Sequence, residues 1–206
     1  MGWDQLRATY DRVAGRYEDR FAEELAWKPR DRDLLTAFAG AVGDPVVDLG
    51  CGPGQIGAFL GQRGRAVIGV DLSPVMAGLA AGRLTAAAVA DLRRLPLAPG
   101  SVAGVVAFYS LIHVRRPELR MTVARTAHVL RPGGRVLLAV HEGDGEVERD
   151  TFLDTPVTFV ATLYHLDELT DAVTAAGLRV VSADRRAPDE RESPTTRLYV
   201  EAVRDR

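Results

Sequence analysis

Residues 46–54 read VVDLGCGPG, an apolar run that ends in an acid and three alternating glycines. Val46, Val47 and Leu49 predict a strand buried on both faces, of the kind found in parallel sheets. Gly50, Gly52 and Gly54 then let the backbone turn tightly where side chains would collide with a ligand. The helix expected from about 54 to 62 points its free N–H groups back at that ligand, with Cys51 in the turn and Gln55 and Ile56 opening the helix. The stretch therefore predicts a turn that cradles a nucleoside cofactor. The plainer alternative is an ordinary strand-to-helix loop, since glycine and proline punctuate loops everywhere.

Outward from this turn the chain alternates regularly. Leu6, Tyr10, Val13, Tyr17, Phe21 and Leu25 recur every three or four residues, which predicts one amphipathic helix from about Trp3 to Trp27, broken by Pro29. A second helix is expected over 33–42. Strands are expected at 46–49, 66–70, 86–90, 102–108 and 135–141, separated by helices at 54–62, 74–84 and 118–130. A helix over 166–176, stopped by Gly177, precedes closing strands at 178–183 and 196–203. This order predicts an α/β fold, a doubly wound sheet with helices on both faces. Residues 143–156, acidic and without periodicity, read as an insertion between elements. With no repeat or linker, residues 1–206 read as a single domain: 1–42 a helical lid or substrate region, 43–142 a cofactor-binding core, and 143–206 a substrate-side insertion with closing strands.

Composition agrees. A chain of 206 residues that is 47% hydrophobic and 26% charged buries one sizeable core. A net charge of −2 supplies no global field for nucleic acid. Cys51 is the only cysteine, so no intrachain disulfide forms and a small backbone spacer is expected there. The first residues carry no apolar secretory core and no run reaches membrane-spanning length, which leads us to expect a cytoplasmic protein away from membranes. No His, Cys or carboxylate set has metal-ligand spacing. Lys28 is the sole lysine and by itself suggests no chemistry.

Two cofactor classes compete for the turn. Gly52, Gly54 and Gly57 satisfy G-x-G-x-x-G, and Asp71 follows the next strand where a dinucleotide fold holds a ribose. Asp48, one residue ahead of the first glycines, would crowd a pyrophosphate but accepts hydrogen bonds from an ammonium group, which favours a sulfonium amino acid. The segments DLGCGPG at 48–54, VIGVDLSPVM at 67–76, ADLRRLPL at 90–97 and LRPGGRVLLAV at 130–140 resemble, in order and spacing, the class I S-adenosylmethionine-dependent methyltransferases. The resemblance covers about residues 10–203 and is carried by the cofactor half. It implies a Rossmann-like sheet of seven mostly parallel strands with the last antiparallel, and N-terminal helices folded as a lid over S-adenosylmethionine.

Residue roles follow from position or from that resemblance. Asp71 at a strand end accepts from vicinal ribose hydroxyls, or else caps the next helix, a role that Ser73 with Pro74 suits better. Leu72 and Met76 flank an adenine or are plain core. The resemblance implies that Asp91 bonds the adenine amino group, with the N–H of Leu92 reaching a ring nitrogen; a solvated loop acid is the alternative. It also implies that Tyr17, in a YDxxAxxY pattern, closes on the methionine end, against simple packing of the first helix. Tyr109, Ser110 and His113 follow the fourth strand and are expected to meet cofactor and substrate. His113, preferred, and His141 are candidate bases for a hydroxyl or ammonium acceptor, or else shape the cavity. Arg185, Arg186, Arg191 and Arg197 either bind an acidic substrate or solvate the last strands. No Asn-Pro-Pro-Tyr or Asp-Pro-Pro-Tyr follows the fourth strand, which within the family argues against base or glutamine-amide acceptors. The expected partner is a small-molecule methyl acceptor, with the protein a monomer or homodimer. A nicotinamide-dependent oxidoreductase and a non-catalytic cofactor-binding subunit are the rival readings.

Overall fold

A computed structural model describes residues 1–206. Helix α1 covers Trp3–Phe21 and is followed by one 3-10 turn, Glu24–Ala26. The expected single helix to Trp27 stops early because the chain tightens there, burying Leu25 and bringing Glu24 2.5 Å from Lys28. Helix α2, Pro29–Ala41, begins four residues sooner than expected, with Pro29 in the first turn, where its missing N–H costs nothing.

The alternation that follows is β1 (Val46–Leu49), α3 (Gln55–Gly61), β2 (Val67–Asp71), α4 (Pro74–Ala81), β3 (Ala86–Val89), β4 (Val102–Phe108), α5 (Arg116–Val129) and β5 (Leu130–His141). After a hairpin, β6 (Glu146–Phe152) and β7 (Thr155–Thr162), come α6 (Leu166–Ala175), β8 (Leu178–Arg186) and β9 (Arg197–Arg204). The seven-stranded sheet has the order β3-β2-β1-β4-β5-β9-β8. Its first five strands run parallel, and β9 lies antiparallel between β5 and β8. Chain order reverses between β1 and β4, so the crevice beyond their carboxyl ends is where this architecture binds ligands.

Residues alternate across the sheet. Val47, Leu49, Val105 and Ala107 pack with α5 and α6, whereas Val46, Val106 and Phe108 pack with α2 and α3. Parallel strands covered on both faces need this nearly continuous apolar composition. No helix is long and apolar enough to cross a membrane.

The segment 143–156 departs from expectation, because most of it belongs to the β6–β7 hairpin. Val147, Arg149 and Thr151 line a cavity and not a hydrophobic core, and the pairing register shifts between Arg149 and Thr151. Polar residues at inward positions hide a strand from a search for apolar alternation.

The turn after β1 is held by sterics. Gly50 adopts φ +66°, and a Cβ there would sit 2.3 Å from Ser110 Cβ in the loop after β4. Gly64 is also left-handed, at φ +80°, but faces open space. Gly50→Ala should therefore cost about 2–4 kcal/mol of unfolding free energy, against about 1–2 for Gly64→Ala. Equal losses in urea denaturation would contradict the contact between the two loops.

Candidate active site

Two buried carboxylates define the crevice. Asp48 in β1 accepts the Gly57 N–H of α3 at 3.0 Å, and Asp71 at the end of β2 accepts the Gly52 N–H at 2.8 Å. The second oxygen of Asp71 accepts the Ser73 N–H, also at 2.8 Å. Burial pushes the Asp48 carboxyl up to about 7 and raises Asp71 as well. Capping of α4 falls to Ser73, whose hydroxyl accepts the Met76 N–H at 3.1 Å and donates to Asp11 of α1 at 2.5 Å. Asp71 is thus gripped by backbone donors that leave its outer lone pairs free.

Beyond the glycine turn lie two connected spaces. A narrow cleft of about 60 Å³ is walled by Trp3 and Tyr10 of α1 on one side and by Asp71, Leu72, Leu92 and Ser110 on the other. A chamber of about 620 Å³ adjoins it, sharing Tyr10, Tyr17, Gly50, Phe108 and Tyr109 as walls. Asp48, Cys51, Gln55, Ile56 and His141 line the chamber. Tyr17 lies against the turn: a Cβ on Gly52 would be 3.6 Å from its ring. Gln55 Oε1 and Ser110 Oγ are buried without a hydrogen-bond partner. Burial raises the Cys51 thiol far above its ordinary range, which rules out a thiolate.

Three expected contacts fall elsewhere. The Asp91 carboxylate is clasped by Arg93 at 2.6 Å, and neither cavity is walled by it. Arg93 in turn lies 3.7 Å from the Trp3 ring centre. Met76, on the buried face of α4, is fully buried as plain core. Gly54, at φ +90°, starts α3 against the Ala80 backbone and lines neither space.

The histidines separate. His113 Nδ1 lies 2.9 Å from the Val160 carbonyl, so that nitrogen carries the proton and donates. Its Nε2 then accepts the Tyr10 hydroxyl at 2.7 Å. Burial lowers the ring to about 4, so it is neutral with both nitrogens engaged, and it walls the narrow cleft. His141 is lowered to about 4 by burial and then by Arg197 and Lys28. Its Nδ1 pairs with Thr195 Oγ1 at 2.9 Å, its ring stacks on Tyr109 at 5.1 Å, and Nε2 has no protein partner.

Long-range packing adds groups that no local motif announces. Lys28, Glu192 and Arg197 come together at the chamber, and Phe152 and Phe159 of the hairpin stack at 4.5 Å above it. Of the C-terminal arginines, Arg185 is exposed and paired with Glu142, whereas Arg186 and Arg197 are drawn inward by Glu192. No group of three or more His, Cys, Asp or Glu side chains is arranged to hold a metal ion.

Residues 46–134 match the family model described as a methyltransferase domain. An uncharacterised methyltransferase of Geobacillus kaustophilus is 27% identical over 140 residues, 66% of this chain, and the chain spans 64% of that relative's length. An O-methyltransferase of Penicillium expansum is 29% identical over 205 residues, covering 90% of this chain and 70% of its own. Among solved structures, the 1,6-didemethyltoxoflavin-N1-methyltransferase of Burkholderia thailandensis superposes with a TM-score of 0.73 at 23% identity, over 98% of this chain and 88% of that one. By its sheet order, its glycine turn and these matches, the chain is similar to the class I S-adenosylmethionine-dependent methyltransferases.

Proposed function

We propose that the protein transfers the methyl group of S-adenosylmethionine to a nucleophilic atom of a small molecule. The carrying observation is the pair of buried carboxylates, Asp48 and Asp71, set on either side of a turn that tolerates no side chain at Gly50. When bound, the cofactor supplies an electrophilic methyl on a cationic sulfur. Asp71, oriented by two backbone N–H groups, accepts from the ribose hydroxyls, while Leu72 and Leu92 give the adenine apolar flanks. Asp48 and the unpartnered Gln55 Oε1 suit the methionine ammonium. A dinucleotide would instead bring its pyrophosphate against the Asp48 carboxyl.

The narrow cleft is far below the roughly 300–1,000 Å³ of ligand sites, so a nucleoside enters only when α1 swings away. In the closed form Tyr17 and Tyr10 keep water from the methyl, which favours a displacement that disperses charge. Most of the rate then comes from holding the acceptor about 3 Å from the methyl carbon in line with sulfur. Where the acceptor carries a proton, His141 takes it, because Nε2 of His141 is free at the chamber while both His113 nitrogens are engaged. His113 instead ties α1 to the hairpin. The chamber is roofed by α1 and the β6–β7 hairpin, an enclosure suited to a metabolite.

Two outcomes test this reading. An ammonium beside Asp48 favours its carboxylate, so adenosylhomocysteine binding near pH 7 should release a fraction of a proton and tighten as pH rises through about 7. Calorimetry in buffers of different ionisation enthalpy should show that release in the wild type and not in Asp48→Asn; a wild type that releases none contradicts the assignment. Second, NMR titration should find the His113 and His141 rings neutral down to about pH 4. A midpoint near the ordinary 6.5 for His113 would mean that its ring is not buried beneath α1.

A further inference from the structure

The floor of the chamber holds a buried guanidinium that shares its only carboxylate with two other cations. Arg197 is 3% exposed, and its Nε is buried with no hydrogen-bond partner. One of its terminal nitrogens bonds only the carbonyls of Ser193 and Thr195. The nearest carboxylate, Glu192, lies 3.5 Å away but is occupied by Arg186, which binds it with two hydrogen bonds of 2.7 and 2.8 Å. Lys28, the other buried cation at this end, is matched by Glu24 at 2.5 Å. A buried cation that shares its counter-ion and leaves Nε without a hydrogen bond is costly, and natural structures leave few such donors unpaired.

The rest of the wall has the same bias. Arg20, Lys28, Arg149, Arg191 and Arg197 line the chamber against Glu24, Asp154 and Glu192, once Asp48 is assigned to the cofactor. Arg197 stands opposite His141 in the β5–β9 register, and the positive charge there is one reason why the His141 ring stays neutral. Around this charged floor the surfaces are aromatic and flat. Tyr109, held at a left-handed φ of +56°, stacks on His141 with 26° between planes, and Phe152 stacks on Phe159 with 25°. A non-glycine residue persists in that conformation only when its surroundings enforce it, which is common where a side chain is aimed at a ligand.

We propose that the acceptor is a planar aromatic acid whose carboxylate docks on Arg197 and whose ring lies against the Tyr109–His141 and Phe152–Phe159 stacks. Arg197 already shares Glu192, so a single further negative charge suits it, which favours a carboxylate over a dianionic phosphate. The planar fork of arginine matches the two oxygens of a carboxylate. A ring seated beside His141 brings a ring hydroxyl or amine to the free Nε2, so that docking and proton removal share one rigid element. This inference rests on the methyl-transfer reading and adds the chemical class of the acceptor.

Calorimetry tests it with a panel of one- to three-ring aromatic carboxylates, each paired with its neutral amide, and with phenyl phosphate as the dianion. The panel is run on the protein alone and on the protein saturated with adenosylhomocysteine. At least one carboxylate should bind, about tenfold or more tighter than its amide and than phenyl phosphate. Arg197→Gln should erase that preference while adenosylhomocysteine affinity stays within about twofold. Because removing Arg197 changes the company of Glu192, the double variant Arg197→Gln, Glu192→Gln is measured alongside and should lose the preference too. Equal binding of acid and amide, an acid preference that survives in both variants, or no binding by any acid would overturn the proposal. Failure of adenosylhomocysteine to bind would count against methyl transfer instead, with the acid preference still read on the protein alone.

Discussion

Two hydrogen bonds from backbone N–H groups to buried carboxylates, Gly52 to Asp71 and Gly57 to Asp48, organise everything at the sheet's open edge. Each joins the glycine turn or α3 to a strand end, so the turn is pinned between β1, β2 and α3. Hydrogen bonds to charged groups contribute about 1.5–3 kcal/mol, yet burial works against the charged form and raises both acids. A fold that needed only stability would do better with apolar residues at these positions. Carboxyls held at this cost make sense as receptors for hydroxyls and a cation, and the left-handed glycines are what let the chain approach them.

The roof depends on a second set of contacts. Tyr10 of α1 and Val160 of β7 meet on opposite nitrogens of His113, Thr9 donates to the Thr158 carbonyl at 2.9 Å, and Ser73 ties α4 to Asp11 of α1. The helix and the hairpin are therefore joined to each other as well as to the floor. The cleft they leave is too small for a nucleoside, so opening has to break these polar contacts and uncover Leu6, Val13 and Ala14 of α1, while the apolar clusters on the two faces of the sheet stay packed. Such a lid fits an enzyme whose turnover is gated by closure.

Much of the cofactor half was legible in the sequence because it is set by short-range sterics. Strands at Val46–Leu49 and Val102–Phe108 coincide with their expected limits, and the positive φ of Gly50, Gly52 and Gly54 follows from the tight turn. What stayed hidden depends on distant neighbours. His113 is closed off by a tyrosine 103 residues away in sequence. The hairpin escaped because Arg149 and Thr151 of β6 line a cavity and break the apolar alternation. Lys28, unremarkable as a lone lysine, gains meaning only from its burial between Glu24 and Glu192, and Arg197 only from the engagement of Glu192 elsewhere.

The central claim is that a cofactor occupies the space beneath α1 and that this helix closes over it. Hydrogen–deuterium exchange across residues 1–28, with and without adenosylhomocysteine, tests it most directly. The account predicts measurable opening of α1 in the free protein and marked slowing on binding, with the amides of β1 and β4 protected throughout. Amides of α1 already as protected as those strands, and unchanged by the ligand, would contradict it.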